Sequence, residues 1–321
     1  MLTALIFTRD EVEEVDDWSA RLGRLGRSSI LWIDAEEATE QELETLRTEL
    51  GLTDKSLRRL ARTNGGPYLR NVGDYLHVTA YAPSPREDTR ELERIECLVA
   101  KSWVVTAHDT ALPVLERFRE RTEGSGETGR LDGPEFLAVL LEWVLAAYLD
   151  AFEQIELALE ELDTRAMSGR LRKLDAELEE LVTLRRELGT LRRALVSHRE
   201  PLFALTRPEL ETIAGSRSAE RFVTLSAHLD EVVEAARDGR DAIVGSFDIL
   251  IARTEQRTNE IVKVLTIASV LLLPAALIAG VMGMNFRLGM FDENAYFWVV
   301  LGSMAALAAV TLGVMRARRW I

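Results

Sequence analysis

Apolar and charged residues are mixed along most of this chain, and then the charge stops. From Val264 to Phe286 there is no Asp, Glu, Lys or Arg, and Ala295 to Met315 is equally free of them. As a helix the first stretch is about 34 Å long, enough to cross a hydrocarbon core of about 30 Å, and the second is only slightly shorter. One such run is compatible with a buried core helix. Two in succession predict a pair of transmembrane helices, over 264–286 and 295–315.

Upstream the periods are those of a soluble protein. Short β-branched or aromatic runs at Ile30-Leu31-Trp32-Ile33, Tyr75 to Tyr81, Ile95 to Val99 and Trp103 to Thr106 predict strands. Lys101-Ser102 joins the last two as a hairpin. Thr39 followed by Glu42 is a capping-box pair, and Leu43, Leu46 and Leu50 continue it at helical spacing. Asn64-Gly65-Gly66-Pro67 reads as a loop. Residues 1–125 are therefore expected to form an α+β domain, closed by the polar, Gly-rich stretch from Glu123 to Gly129.

From 130 to 262 the pattern is that of long helices forming a stalk. One is expected from Pro134 to Met167. A second is expected from Leu171 to Leu205, where Leu174, Leu178, Leu181, Leu184, Leu188, Leu191 and Leu195 recur three or four apart. Such spacing suits antiparallel, coiled-coil-like packing. A third begins near Ser218 and meets no proline before Pro274, so it is expected to continue into the membrane domain, 263–321. A helix of about 65 residues would be about 100 Å long.

Composition narrows the function. The 321 residues include 39 Lys plus Arg and 53 Asp plus Glu, a formal net charge of −14. That balance argues against a nucleic-acid partner, because phosphates call for a basic footprint. The lone Cys97 cannot form an intrachain disulfide, and His77, His108, His198 and His228 show no metal-binding spacing. There is no phosphate-binding GxxxxGK[ST] loop, and no nucleophile–base pair stands out, so an enzyme is the least expected class. Met1 to Phe7 lacks the basic start and long apolar run of a leader peptide. Arg253, Arg257 and Lys263 precede the first span, and Arg316, Arg318 and Arg319 follow the second. The loop between them has Arg287 against Asp292 and Glu293. Both termini are thus expected in the cytoplasm, with the short loop outside the cell membrane.

Two helices cannot enclose an aqueous path, so transport would require several copies. On the first span, Asn259, Val262, Thr266, Ser269, Leu273, Ala276, Gly280 and Gly283 fall at alternating spacings of three and four. Small residues there permit close helix contact. They equally suit a pore wall with apolar constrictions at Val262 and Leu273.

Gly283-Met284-Asn285 ends this span, and here the sequence resembles the CorA family of divalent cation channels. The likeness extends over Thr258 to Ile267, Leu273-Pro274, Ile278-Ala279-Gly280, Met282 to Phe286 and the basic tail from Arg316 to Trp320. It continues more loosely at Trp32-Ile33-Asp34, Gly73 to Leu76 and Val105 to His108. The resemblance implies a homopentameric funnel whose pore is made by five long helices. It places Gly283, Met284 and Asn285 at a selectivity filter, Asp248 and Asn259 on the inner pore, and Val262 and Leu273 at a hydrophobic gate.

The implied cargo is Mg2+, with Co2+, Ni2+ and Zn2+ as alternatives, and no resident cofactor is expected. Uncharged amide oxygens suit an ion that keeps its waters and must be released. Asp292 and Glu293 either attract cations or are simply solvated. Three departures from the family bear on selectivity and regulation. Met282 replaces the usual aromatic residue, the loop lacks a Met-Pro-Glu-Leu run, and Phe222 to His228, where the family has regulatory carboxylates, contains no acid. Asp230, Glu231, Asp238 and Asp241 lie nearby; they are either a solvated stalk face or, with Asp238 and Asp241 as the candidates, contacts for a regulatory metal. A membrane-tethered coiled-coil scaffold or sensor is the reading of another class.

Overall fold

The computed structural model describes residues 1–8, 11–26, 29–61, 65–84, 92–123, 131–168, 174–207, 210, 216–284 and 294–318. By internal contacts it divides into two units, Met1–Phe247 and Asp248–Ile321.

The first unit is built on a seven-stranded sheet of order β2-β1-β3-β7-β6-β5-β4. Its strands are β1 (Leu2–Phe7), β2 (Val12–Glu14), β3 (Ile30–Glu36), β4 (Tyr68–Asn71), β5 (Leu76–Pro83), β6 (Leu92–Val99) and β7 (Trp103–His108). Only β3 and β7 pair in parallel, and every other neighbour is antiparallel. The four expected strands are β3, β5, β6 and β7, and the expected hairpin closes through the Ala100 N–H donating to the Trp103 carbonyl, 2.9 Å away.

Strand β1 was not among the expected elements. Its run of apolar residues, considered only as a leader, is a core strand whose last four residues are buried. The short edge strands β2 and β4 are likewise additional.

Period-2 alternation divides the β3 side chains between the two faces of the sheet. Leu31, Ile33 and Ala35 share one core with Leu46, Leu52 and Leu60, contributed around α2 (Glu40–Leu50) and α3 (Asp54–Leu60), and with Trp18 of α1 (Trp18–Leu22). The Thr39–Glu42 capping box is formed as expected, and α2 ends at Gly51, whose φ of 66° suits the left-handed C-cap. On the other face, Trp32 packs its ring 5.5 Å from Phe136 and 5.6 Å from Phe118, and Phe7 lies 6.3 Å from Trp32. Phe118 and Phe136 come from α4 (Pro113–Glu123) and α5 (Gly133–Met167). The buried Trp32 indole N–H donates to Thr106 Oγ1 at 2.9 Å, so this aromatic cluster leaves no polar atom of Trp32 unpaired.

Helix α5 starts one residue before the expected Pro134, with Asp132 capping it and Glu135 completing a capping box. Its first residue is wedged against the β6–β7 turn: a Cβ on Gly133 would lie 1.8 Å from the Ala100 carbonyl oxygen.

The second expected helix is two helices, α6 (Leu174–Ser197) and α7 (Arg199–Leu205). Pro201 has no N–H to return to the carbonyl four residues back and its ring crowds that carbonyl, which breaks the helix near His198. Residues 171–173 of that expectation lie outside the described residues.

The third is α8 (Ser216–Met282), a single helix that continues through Pro274 and contains the boundary between the two units. Within the first unit its direction follows from its contacts. Arg217 faces Glu135 at 4.0 Å and Ser246 donates to Asp163 at 3.0 Å, so α8 runs parallel to α5. Arg199 pairs with Asp230 at 2.7 Å, and Leu188 packs beside Gly239, so α6 and α7 run antiparallel to α8. Phe222, Leu225, Leu229, Val232, Ala236 and Ile243 form its buried stripe.

His198 locks the α6–α7 break to the sheet. Its Nε2 accepts the Tyr81 N–H at 2.9 Å, which leaves the proton on Nδ1 to donate to the Ala194 carbonyl at 2.8 Å. Burial holds its pKa down at about 4. A neutral imidazole is required in the folded state, whereas the unfolded chain takes up the proton from about pH 6.5 downward.

Two outcomes follow for the purified full-length chain. Gly133→Ala lowers the melting temperature, costing at least the ~1–3 kcal/mol typical of an overpacked core; an unchanged melt would contradict the wedge. Because protonation disfavours the folded state, the wild type loses stability as pH falls from about 6.5 to 4, by up to ~1.4 kcal/mol per pH unit. His198→Gln removes that component, so the difference in unfolding free energy between the two proteins must change across this window and be constant above it.

Candidate functional site

The second unit consists of the rest of α8 and of α9 (Asn294–Ala317). Both contain apolar windows long enough to cross a membrane, and no residue of either window is buried within the chain. Leu265, Leu272, Leu273 and Leu277 are each roughly two-thirds exposed. A continuous apolar surface of this kind is intolerable in water and is what hydrocarbon or a second apolar helix covers. Helices satisfy their backbone internally, the condition for spanning. The second span was expected at 295–315 and lies within α9. The first was expected at 264–286, whereas α8 ends at Met282. Gly283 and Met284 follow as a turn, their N–H groups donating to the carbonyls of Ala279 at 2.9 Å and Val281 at 3.2 Å.

The expected row of pore residues lies along one continuous helix. Positions seven apart on an α-helix drift by only ~20° per heptad, so Asp248, Asn259, Val262, Thr266, Ser269, Leu273, Ala276 and Gly280 share one side. All are exposed except Thr266 and Ser269, which are half-buried. The Thr266 hydroxyl donates to the Val262 carbonyl at 2.8 Å. Its proton is thereby used inside the helix, and its oxygen lone pairs remain available on the row. At Gly280 nothing lies within 4 Å of where a Cβ would be.

Pro274 adds a polar feature that spacing alone does not reveal. It deprives the Val270 carbonyl of its helical N–H partner in the middle of the apolar stretch. Inside a bilayer such a carbonyl is tolerated where protein or water covers it.

Gly283 and Met284 stand immediately beyond the helix end, where the α8 dipole presents about −0.5 of a charge. Asn285, Asp292 and Glu293 lie outside the described residues. Asp238 and Asp241, three apart on α8 within the first unit, are both exposed. Among the described residues no group of three or more His, Cys, Asp or Glu side chains is arranged to hold a metal ion.

A family model described as "CorA-like Mg2+ transporter protein" matches residues 27–317. The chain is 22% identical over 297 residues to the cobalt/magnesium transport protein CorA of Methanocaldococcus jannaschii, covering 91% of this chain and 92% of that one. It is 25% identical over 304 residues to the magnesium transport protein CorA of Haemophilus influenzae, covering 92% and 93%. The complete structure of the CorA magnesium transporter from Methanocaldococcus jannaschii superposes with a TM-score of 0.80 at 20% identity, covering 100% of this chain and 99% of that one. The shared fold thus extends over the α+β unit, the long helix and both apolar helices.

Proposed function

We propose that this chain, which belongs to the CorA-like Mg2+ transporter protein family, forms a homopentameric channel that admits Mg2+ into the cytoplasm down the membrane potential. Membership makes it a membrane ion transporter rather than an enzyme, with two C-terminal spans and a cytoplasmic N-terminal domain. The observation that carries the finer reading is the row on α8 that leads towards Gly283-Met284-Asn285, uncharged from Asn259 to Gly280 and exposed except at the half-buried Thr266 and Ser269. In this reading residues 1–125 are the head, 130–262 the stalk and 263–321 the pore domain.

The chemistry follows from the ion. Mg2+ sheds its waters reluctantly, so a passable filter holds the hydrated ion through neutral oxygens. Five Asn285 amide oxygens at the converging ends of five helices supply such a ring, strengthened by the negative ends of their dipoles. Asp292 and Glu293 raise the local cation concentration outside. Below the filter, Gly280, Ala276, Ser269 and Thr266 keep the passage wide and weakly polar. Leu273 and Val262 narrow it with apolar rings that close by dewetting. Asn259 and Asp248 receive the ion at the cytoplasmic end. A divalent ion gains about 4.6 kcal/mol per 100 mV of inside-negative potential, twice the single-charge figure, so no nucleotide is needed. Asp238 and Asp241 are the proposed contacts for a regulatory ion.

The cargo is Mg2+, with Co2+ and Ni2+ as competitors, and Zn2+ is the alternative favoured by the departures at Met282 and in the loop. In liposomes holding the purified chain, Asn285→Ala lowers divalent uptake at least about ten-fold, as loss of a filter ligand should. Wild-type uptake of none of the four metals would overturn the transport reading, and unchanged uptake in the variant would overturn the filter. Competition among the four identifies the preferred cargo.

The row itself is tested separately. Cys97 is buried and is the only cysteine, so single cysteines report without background. Cysteines at Thr266, Leu273 and Gly280 react with a membrane-impermeant thiol reagent, whereas those at Ile267, Leu271 and Ile278, on the other side of α8, do not. Equal reaction on both sides would contradict a pore wall.

A further inference from the structure

Far along the sequence from the spans, the run Lys55-Ser56-Leu57-Arg58-Arg59 on α3 sits beside the edge strand β4. Between them is a cleft of about 200 Å³, lined by Lys55, Ser56, Arg58, Arg59, Tyr68, Arg70 and His77. It holds four permanent cations and no carboxylate, on a chain whose net charge is −14.

The wall of this cleft is rigidly built. The Arg59 guanidinium lies over the Tyr68 ring, 3.8 Å from its centroid, while its Nε donates to Thr79 Oγ1 at 3.1 Å. His77 is buried and anchored through Nε2 to the Glu96 carboxylate at 2.8 Å. Glu96 is in turn neutralised by Arg94 at 3.1 Å, so its charge is spent within the protein.

The remaining donors are unspent. Among the described residues Lys55, Arg58 and Arg70 form no ion pair, although eight other arginines do within 3.5 Å of an acid. Ser56 is 97% buried, and its hydroxyl oxygen accepts from Tyr75 at 2.8 Å and from Thr53 at 3.2 Å. Both acceptor positions are occupied, which leaves the Ser56 proton as a donor lining the cleft.

We propose that this cleft is a binding site for a phosphate-bearing anion, either inorganic phosphate or a small phosphomonoester. Arg58 and Arg70 offer paired N–H donors matched to phosphate oxygens, Lys55 adds a mobile point charge, and Ser56 supplies a neutral hydrogen bond. The volume admits a phosphoryl group with a small organic remainder beside Tyr68, and excludes a whole nucleotide. Arg59 is committed to Tyr68, Thr79 and Glu96 and acts as a fixed positive wall.

Titration calorimetry of the full-length chain in detergent, with a chelator present to remove divalent metals, tests this with inorganic phosphate and glycerol phosphate as separate probes. Saturable binding of either at one site per chain is expected, and it weakens at least about ten-fold in the double variant Arg58→Gln/Arg70→Gln. Tighter binding of glycerol phosphate identifies a phosphomonoester as the ligand; equal or tighter binding of inorganic phosphate identifies the free ion. The control is Arg192→Gln/Arg193→Gln, in the arginine-lined groove between α6 and α8, which must bind as the wild type does. The proposal is overturned if neither probe binds, if the α3–β4 double variant binds unchanged, or if both double variants weaken binding equally. Melting temperature, read in parallel, confirms that the variants are folded. Since Arg58 and Arg70 belong neither to the proposed filter nor to the proposed pore row, their failure to bind phosphate leaves the transport reading untouched.

Discussion

A doubly charged ion cannot enter hydrocarbon, and a backbone group cannot be left unsatisfied there. These two prohibitions govern the membrane part of this protein. They require its spans to be helices without ionisable residues, and α8 and α9 comply over their apolar windows. They also require that any path for an ion be lined by several copies, because one chain provides only two such helices. In the proposed pore the oxygen atoms offered to the ion are the hydroxyls of Thr266 and Ser269, the carbonyl released by Pro274, and the groups of Gly283-Met284-Asn285. In this account weak, neutral binding is a consequence of the solvent, and it is also what rapid release of a hydrated cation needs.

The soluble unit obeys the opposite rule, burying apolar surface from water, and an aromatic cluster lies at its centre. The Trp32–Phe7–Phe118–Phe136 cluster fastens the start of α5 to the sheet, while Gly133 allows that helix to approach the β6–β7 turn to backbone contact. From that anchor α5, α6 and α8 align, with α8 parallel to α5. Charge is placed on their outer faces, where ion pairs such as Arg199–Asp230 are solvated and contribute little. Two buried polar knots are of another kind. His198 ties the helix break to β5, and Glu96 is surrounded by His77, Thr79 and Arg94; each is paired, so neither is a site of exchange with solvent.

Much of this was legible because the period of the pattern matched the element. Strands β3, β5, β6 and β7 are buried runs of β-branched and aromatic residues, and Thr39 with Glu42 marked the start of α2. The absence of charge marked both spans. Strand β1 was missed because an apolar run at a chain start invites comparison with leaders, and only its pairing with β3 makes it a core strand. The edge strands β2 and β4 are too short and polar to show a period. One helix was expected where α6 and α7 stand, since the leucine spacing runs on toward Pro201 and outweighed the proline. At the site, the row on α8 was visible from spacing. The cleft between α3 and β4 was not, because its residues are brought together only by the packing of α3 on the sheet.

The central claim is that the ion moves through this protein under the membrane potential alone. Mg2+ uptake by proteoliposomes containing the purified chain, with the potential set by a potassium gradient and valinomycin, tests it most directly. The account predicts that initial uptake rises as the interior is made more negative, disappears when the gradient is reversed, and is indifferent to nucleotide. Uptake that is absent, or that proceeds at the same rate at every imposed potential, would contradict it.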